Sequence, residues 1–206
     1  NIKELKIAEP NNVAISRILY ALRSEITLNR LFASIILRGA HATDFNKGPI
    51  DSLIPIFEKS AEQMELEHLL GKDIDIFMRH VIAPFTNSNI ITLKCDLAKP
   101  LRRNELISML EGSPRIVVAA ARDGFIDSAH IQEYYRDLGR SRFDRPEIFL
   151  WEDNILVDRE SIYMMADVSP EATIIPDIID AIRLNKKNEE IASCIDKTDS
   201  SISIKK

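Results

Sequence analysis

The stretch that decides the fold runs from Glu133 to Arg183: EYYRDLGRSRFDRPEIFLWEDNILVDRESIYMMADVSPEATIIPDIIDAIR. Its first residues complete a helix that the pattern opens at Ser128 and carries to Leu138, with Gly139 as the C-terminal stop. Glu147–Trp151 and Ser161–Val168 are apolar runs of strand length, and a last helix is predicted from near Pro176, because proline is tolerated in a first turn. Strands that meet through turns and helices in mixed order predict an α+β architecture, one sheet with packed helices.

Working outward, Arg115–Ala121 reads as a strand rich in Val and Ala, and Arg102–Leu110 as a helix closed by Gly112. Ile74–Ala83 and Asn89–Leu97 are two strand-length runs broken by Pro84 and a polar turn, which predicts antiparallel neighbours. Ser60–Leu70 reads as an acidic helix ending at Gly71, Gly48-Pro49 as a loop before Ile50–Ile56, and Leu31–Leu37 as a buried strand. Asn11 and Asn12 supply N-cap chemistry for a helix to about Ser24, and the alternation over Lys3–Ala8 predicts a strand before it. The apolar period fades after Ser193, so residues 194–206 are expected to be a flexible tail behind one domain spanning 1–193.

A chain of 206 residues can bury one sizeable core. The net charge of −5 gives no reason to expect nucleic-acid binding, which needs clustered Lys and Arg. No apolar run reaches the length of a membrane span. The two cysteines, Cys95 and Cys194, have neither disulfide nor metal-ligand spacing, so no metal site is expected and a reducing cytoplasm is predicted. The chain opens on Asn1 inside what reads as a strand, which predicts a fragment, a processed product or a recombinantly expressed portion of a protein.

Leu138-Gly139-Arg140-Ser141-Arg142, Glu147-Ile148, Trp151-Glu152, Tyr163, Pro176 and Asp180-Ala181-Ile182-Arg183 resemble the C-terminal part of the archaeal-type (type II) glyceraldehyde-3-phosphate dehydrogenases. Arg38-Gly39-Ala40 with Lys47-Gly48-Pro49-Ile50 and Ile54-Pro55, and Ser113-Pro114-Arg115 with Asp123-Gly124, extend the resemblance over roughly residues 3–185. It implies the catalytic domain of that family, a mostly antiparallel mixed sheet with helices on one face. The nucleotide-binding half is expected to be absent from this chain, because no G-x-G-x-x-G turn is present. No cofactor is therefore expected here, with NAD or NADP implied only if an N-terminal domain precedes it.

The same resemblance implies an altered site. The family's nucleophilic cysteine opens the first helix of the domain; the matching run here is Glu9-Pro10-Asn11-Asn12-Val13-Ala14-Ile15-Ser16-Arg17, with Pro10 in the nucleophile's place. Where the family carries a Ser-His-His-Gly segment that supplies the base, this chain reads Ser60-Ala61-Glu62-Gln63, and its polar HQES tetrapeptide is here Ser169-Pro170-Glu171-Ala172. His41, His68, His80 and His130 lie at unrelated spacings. The resemblance thus implies no catalytic residue on this chain and leaves Arg38 and Arg17 as phosphate-binding candidates, through the planar guanidinium fork. The function expected is that of a non-catalytic dehydrogenase-like domain, acting as a homo-oligomer or with a dehydrogenase subunit. The alternatives are a fragment of a longer NAD(P)-dependent enzyme, or a phosphate or triose-phosphate binding module.

Overall fold

The computed structural model describes residues 4–22, 27–40, 49–71, 73–187 and 190–204. Its strands are β1 (Leu28–Arg38), β2 (Ile54–Ile56), β3 (Asp75–Ala83), β4 (Asn89–Leu97), β5 (Ile116–Ala119), β6 (Ile148–Trp151), β7 (Leu156–Asp158) and β8 (Ser161–Val168). Its helices are α1 (Pro10–Leu22), α2 (Ala61–Leu70), α3 (Arg103–Glu111), α4 (Ser128–Asp137), α5 (Pro170–Thr173), α6 (Ile175–Lys187) and α7 (Ile191–Ser201). All eight strands form one sheet in the order β2-β3-β1-β4-β8-β6-β5, with β7 on β8. Only β1–β3 and β5–β6 pair in parallel, so the sheet is mixed and mostly antiparallel. The α+β class expected from the sequence is the class observed.

Strand alternation sends one set of side chains to a single core face. Leu31, Ala33 and Ile35 of β1 meet Ile91, Leu93 and Cys95 of β4 and Ile162, Met164 and Ala166 of β8 there, all at most 1% exposed. Ile15 and Ile18 of α1, Leu66 of α2 and Leu106 and Leu110 of α3 fill the layer above them. At the β5–β6 end the opposite face is covered too. Phe149 and Trp151 turn away from Ile148 and Leu150 and join Ile131 and Tyr135 of α4 in a second cluster. Over β1 and β3 that second face stays open, with Phe32 39%, Ile36 40% and Phe77 48% exposed.

Local chemistry sets several boundaries. Ser60 accepts from the Gln63 N–H at 3.1 Å and caps α2, and Gly71 ends that helix at φ 89°. Gly139, at φ 77°, provides the left-handed turn after α4 that a side chain would strain. The LGRSR segment is architectural: Arg140 holds Glu147 through bonds of 2.5 and 2.6 Å and lies 4.7 Å over the Tyr135 ring.

Four expectations are corrected. Residues 4–9 form no strand; Lys6 and the Glu9 N–H bind Glu65 at 2.8 and 2.9 Å, which lays the segment along α2 instead of on a sheet edge. Asn11 and Asn12 are not caps but buried first-turn residues, because the helix opens one residue earlier on Pro10, which has no N–H to satisfy. β3 and β4 are not neighbours, since β1 lies between them, parallel to one and antiparallel to the other. The expected tail after residue 193 is largely the helix α7, whose Cys194, Thr198 and Asp199 are buried and whose Asp199 is paired with Arg115. The short β7 and α5, of 3 and 4 residues, are too brief to show a period in the sequence. Gly48 and the Lys47 beside it lie outside the described residues.

Candidate functional site

The N-terminus of α1 is the place to which the resemblance assigns the chemistry, and Pro10 is its first residue. The fixed φ of proline suits this position, and its ring offers no nucleophilic atom. The next residue is the centre of a polar network. Asn11 donates to Glu62 Oε1 at 3.1 Å and accepts from Asn89 at 3.0 Å, while Asn12 donates to the Glu62 carbonyl at 2.9 Å and to Glu65 at 2.8 Å. Glu62 Oε2 lies 2.7 Å from His80 Nε2, and the Asn89 side chain accepts from the Arg38 N–H at 3.1 Å. The Arg38 guanidinium is paired with Glu171.

One hydrogen-bonded chain therefore runs from His80 through Glu62, Asn11 and Asn89 to Arg38 and Glu171. It links the segments that match the family's nucleophile, base, arginine and HQES positions. These lie far apart in sequence, and the fold brings them together at one end of α1. His80 and Asn89 are members of this network to which the resemblance does not point. A signal existed for His80: β3 alternates, and Ile76, Met78 and His80 share its inward face. His80 is 4% exposed and has a carboxylate to orient it, yet among the described residues no thiol joins the network.

The remaining candidates lie elsewhere. Arg17 is half-buried in α1 and its terminal guanidinium nitrogens donate to the Pro146 carbonyl at 2.7 Å, the Thr173 carbonyl at 2.6 Å and the Asp177 carboxylate. Burial lowers its pKa against the pull of Asp177. Arg17 faces the groove between α1 and α6, whereas Arg38 lines a different cavity, so the structure does not bring the two phosphate candidates onto one ligand. Cys95 is buried in β4, and burial pushes its thiol up to about 12; Cys194 is buried in α7. His68 is exposed on α2, His130 pairs with Asp127 at the start of α4, and His41 lies outside the described residues. Among the described residues no group of three His, Cys, Asp or Glu side chains is placed to hold a metal ion, and no helix is long and apolar enough to cross a membrane.

No family model matches the chain. Individual relatives do. It is 31% identical over 181 residues to the glyceraldehyde-3-phosphate dehydrogenase of Hyperthermus butylicus, covering 87% of this chain and 52% of that protein. Against the enzyme of the same name from Methanothermus fervidus the identity is 30% over 200 residues, 97% of this chain and 59% of the relative. For Methanopyrus kandleri the values are 31% over 197 residues, 94% and 56%. The chain thus spans between half and two thirds of the length of the curated relatives it matches. Among solved structures, aspartate semialdehyde dehydrogenase II from Vibrio cholerae superposes with a TM-score of 0.65 at 13% identity, covering 88% of this chain and 62% of that one. A probable aspartate-semialdehyde dehydrogenase from Pseudomonas aeruginosa gives 0.65 at 13%, with 90% and 63% covered. The chain is homologous to the archaeal glyceraldehyde-3-phosphate dehydrogenases over the part of them it spans, and it carries the α+β fold of the glyceraldehyde-3-phosphate and semialdehyde dehydrogenase catalytic domain.

Proposed function

We propose that this dehydrogenase-like domain is non-catalytic and works by association, with a second copy of itself or with a dehydrogenase subunit. The observation that carries the reading is the residue that opens α1. A thiolate at that helix end would be stabilised by the free N–H groups, and this chain has Pro10 there. Neither cysteine substitutes for it: both are buried, and a thiol near 12, as at Cys95, stays protonated at neutral pH. Catalytic groups act as a unit, so His80 and Glu62 without a nucleophile do not sustain a covalent route. The open sheet face, with Phe32, Ile36 and Phe77 exposed, is the kind of surface that association would bury.

A second reading is favoured by the share of the relatives that the chain spans, between 52% and 59% for the two proteins above from Hyperthermus and Methanothermus. In it, this chain belongs to a longer dehydrogenase that uses NAD or NADP held by residues outside it. One experiment separates the readings. The native gene product is assayed with glyceraldehyde 3-phosphate, phosphate and NAD or NADP, and its mass in solution is measured in parallel. No turnover together with self-association at micromolar concentration is the expected result. Turnover above background would overturn the first reading, and so would a monomer that binds no dehydrogenase subunit.

A further inference from the structure

A cavity of about 340 Å³ opens beside the polar network, where β1, the β3–β4 turn, α4 and the end of β8 converge. Its floor is Asp167, which is fully buried, accepts from Ser88 Oγ at 2.7 Å and is paired with Arg145. One wall is Arg38, paired with Glu171 of α5. The facing wall is α4, which contributes Ser128, Gln132 and Tyr135. The guanidiniums of Arg140 and Arg145 lie 4.7 and 5.7 Å from the centre of the Tyr135 ring, which fixes this side chain by two cation–π contacts.

The charges that line the cavity cancel. Its three guanidiniums (Arg38, Arg142, Arg145) are matched by three carboxylates (Asp144, Asp167, Glu171). A phosphate dianion entering here meets no net positive charge, and it has to displace Glu171 to reach Arg38. Phosphate sites also draw on a run of free backbone N–H groups at a helix N-terminus; α5, with its 4 residues and Pro170 first, offers no such cradle, and at the start of α4, which reaches the cavity through Ser128, the Asp127 carboxylate already accepts from the His130 N–H. The neutral lining combines hydroxyls and amides with the Phe143 ring, which suits a ligand that donates and accepts without carrying charge and lays C–H surface on the ring. Burial raises the Tyr135 pKa, so its hydroxyl stays neutral across the physiological range. The volume is at the small end for ligand sites, which fits a molecule of triose to hexose size.

We propose that this cavity binds a small uncharged polyhydroxylated molecule, and that Glu171 withholds Arg38 from phosphate. The inference concerns binding and stands apart from whether the domain turns a substrate over. It also departs from the sequence expectation that Arg38 takes an anion.

The test uses matched pairs that differ only in a phosphate group: glycerol with glycerol 3-phosphate, and D-glucose with D-glucose 6-phosphate. Affinities are read by ligand-observed NMR on the parent protein and on Gln132→Ala and Glu171→Gln, with circular dichroism confirming that each variant is folded. In the parent, the uncharged member of at least one pair is expected to bind about tenfold more tightly than its phosphate ester. Gln132→Ala should weaken it severalfold, and Glu171→Gln should raise the affinity for the ester about tenfold by freeing Arg38. The proposal is overturned if the esters bind as tightly as their uncharged partners in the parent, or if neither uncharged molecule binds at about 100 mM, roughly a hundredfold above a millimolar dissociation constant. An ester affinity that Glu171→Gln leaves unchanged would also overturn it.

Discussion

Replacing Arg115 by methionine tests how the C-terminal helix is held. The Arg115 side chain is 3% exposed and reaches Asp180 and Asp199 at 2.7 Å each and Asp177 at 3.5 Å, which ties β5 to α6 and α7. Its backbone sits at φ 60°, a left-handed conformation held by the surrounding contacts. Methionine keeps most of the volume and the same backbone, so the substitution isolates the charge. Removing one partner from a buried ion pair costs about 3–5 kcal/mol, because the other charges remain buried and unpaired. At about 1.4 kcal/mol per decade, that corresponds to a loss of roughly two to three and a half orders of magnitude in hydrogen-exchange protection over α7. The pH dependence follows from Asp199. Burial raises its carboxyl above the ordinary 3.8, although Arg115 pulls the other way. A carboxyl with a raised folded-state pKa contributes stability that is present below its unfolded value and is lost as pH rises through the folded one. Without Arg115 the opposing pull disappears and the folded value climbs further. Arg115→Met should therefore be more destabilising at pH 8 than at pH 5, and Asp199→Asn in the same chain should recover part of the loss. Native-state exchange at both pH values, with urea denaturation followed by the fluorescence of the single tryptophan, measures each quantity. A loss below about 1 kcal/mol at pH 8, or an equal loss at both pH values, would show that the cluster does not fasten α7.

Other outcomes are expected from the same structure. Burial alone would raise the Glu65 carboxyl, but hydrogen bonds from Lys6, the Glu9 N–H and Asn12 outweigh it and hold it below its usual 4.5. Its contribution is therefore present above that pH and lost as pH falls through the lower folded value; Glu65→Gln should cost about 1–2 kcal/mol at pH 7 and flatten the acid limb of a stability–pH curve. Cys95 and Cys194 are buried, so the native protein should react with a thiol reagent only at its unfolding rate, and fast native labelling of Cys95 would contradict its raised pKa. Phe149, fully buried and 5.1 and 5.7 Å from the Phe125 and Trp151 rings, should cost about 3–5 kcal/mol when cut to alanine in thermal or urea melts.

Much of the fold was legible because the signals are local. The period-2 run that became β8, the Ser60 cap and Gly71 stop of α2 and the Gly139 turn after α4 each depend on residues within a few positions of one another. The motifs of the Glu133–Arg183 stretch carried the family resemblance for a related reason: they fix turns and strand ends that the chain builds from nearby residues. The candidate site was legible only as separate segments. Pro10, Glu62, Arg38 and Glu171 could each be matched to a family position, but neither their contact nor the place of Asn89 among them could be read, and His80 showed only as an inward position of an alternating strand.

Composition and alternation by themselves determined an α+β domain with buried Val, Ile and Leu strands. Only the tertiary structure decided the strand order and the pairing of charges. Nothing within Asp75–Leu97 says that β1 will insert between β3 and β4, because that pairing is made with residues about 45 positions away, as in Arg30 opposite Asp75. Likewise Asp199 lies 84 positions from Arg115, and a polar segment that looks like a solvated tail becomes a docked helix when a buried guanidinium needs its carboxylate. Periodicity reports which way a side chain faces; which other segment lies on that face depends on how the whole chain packs and on which buried charges must be matched.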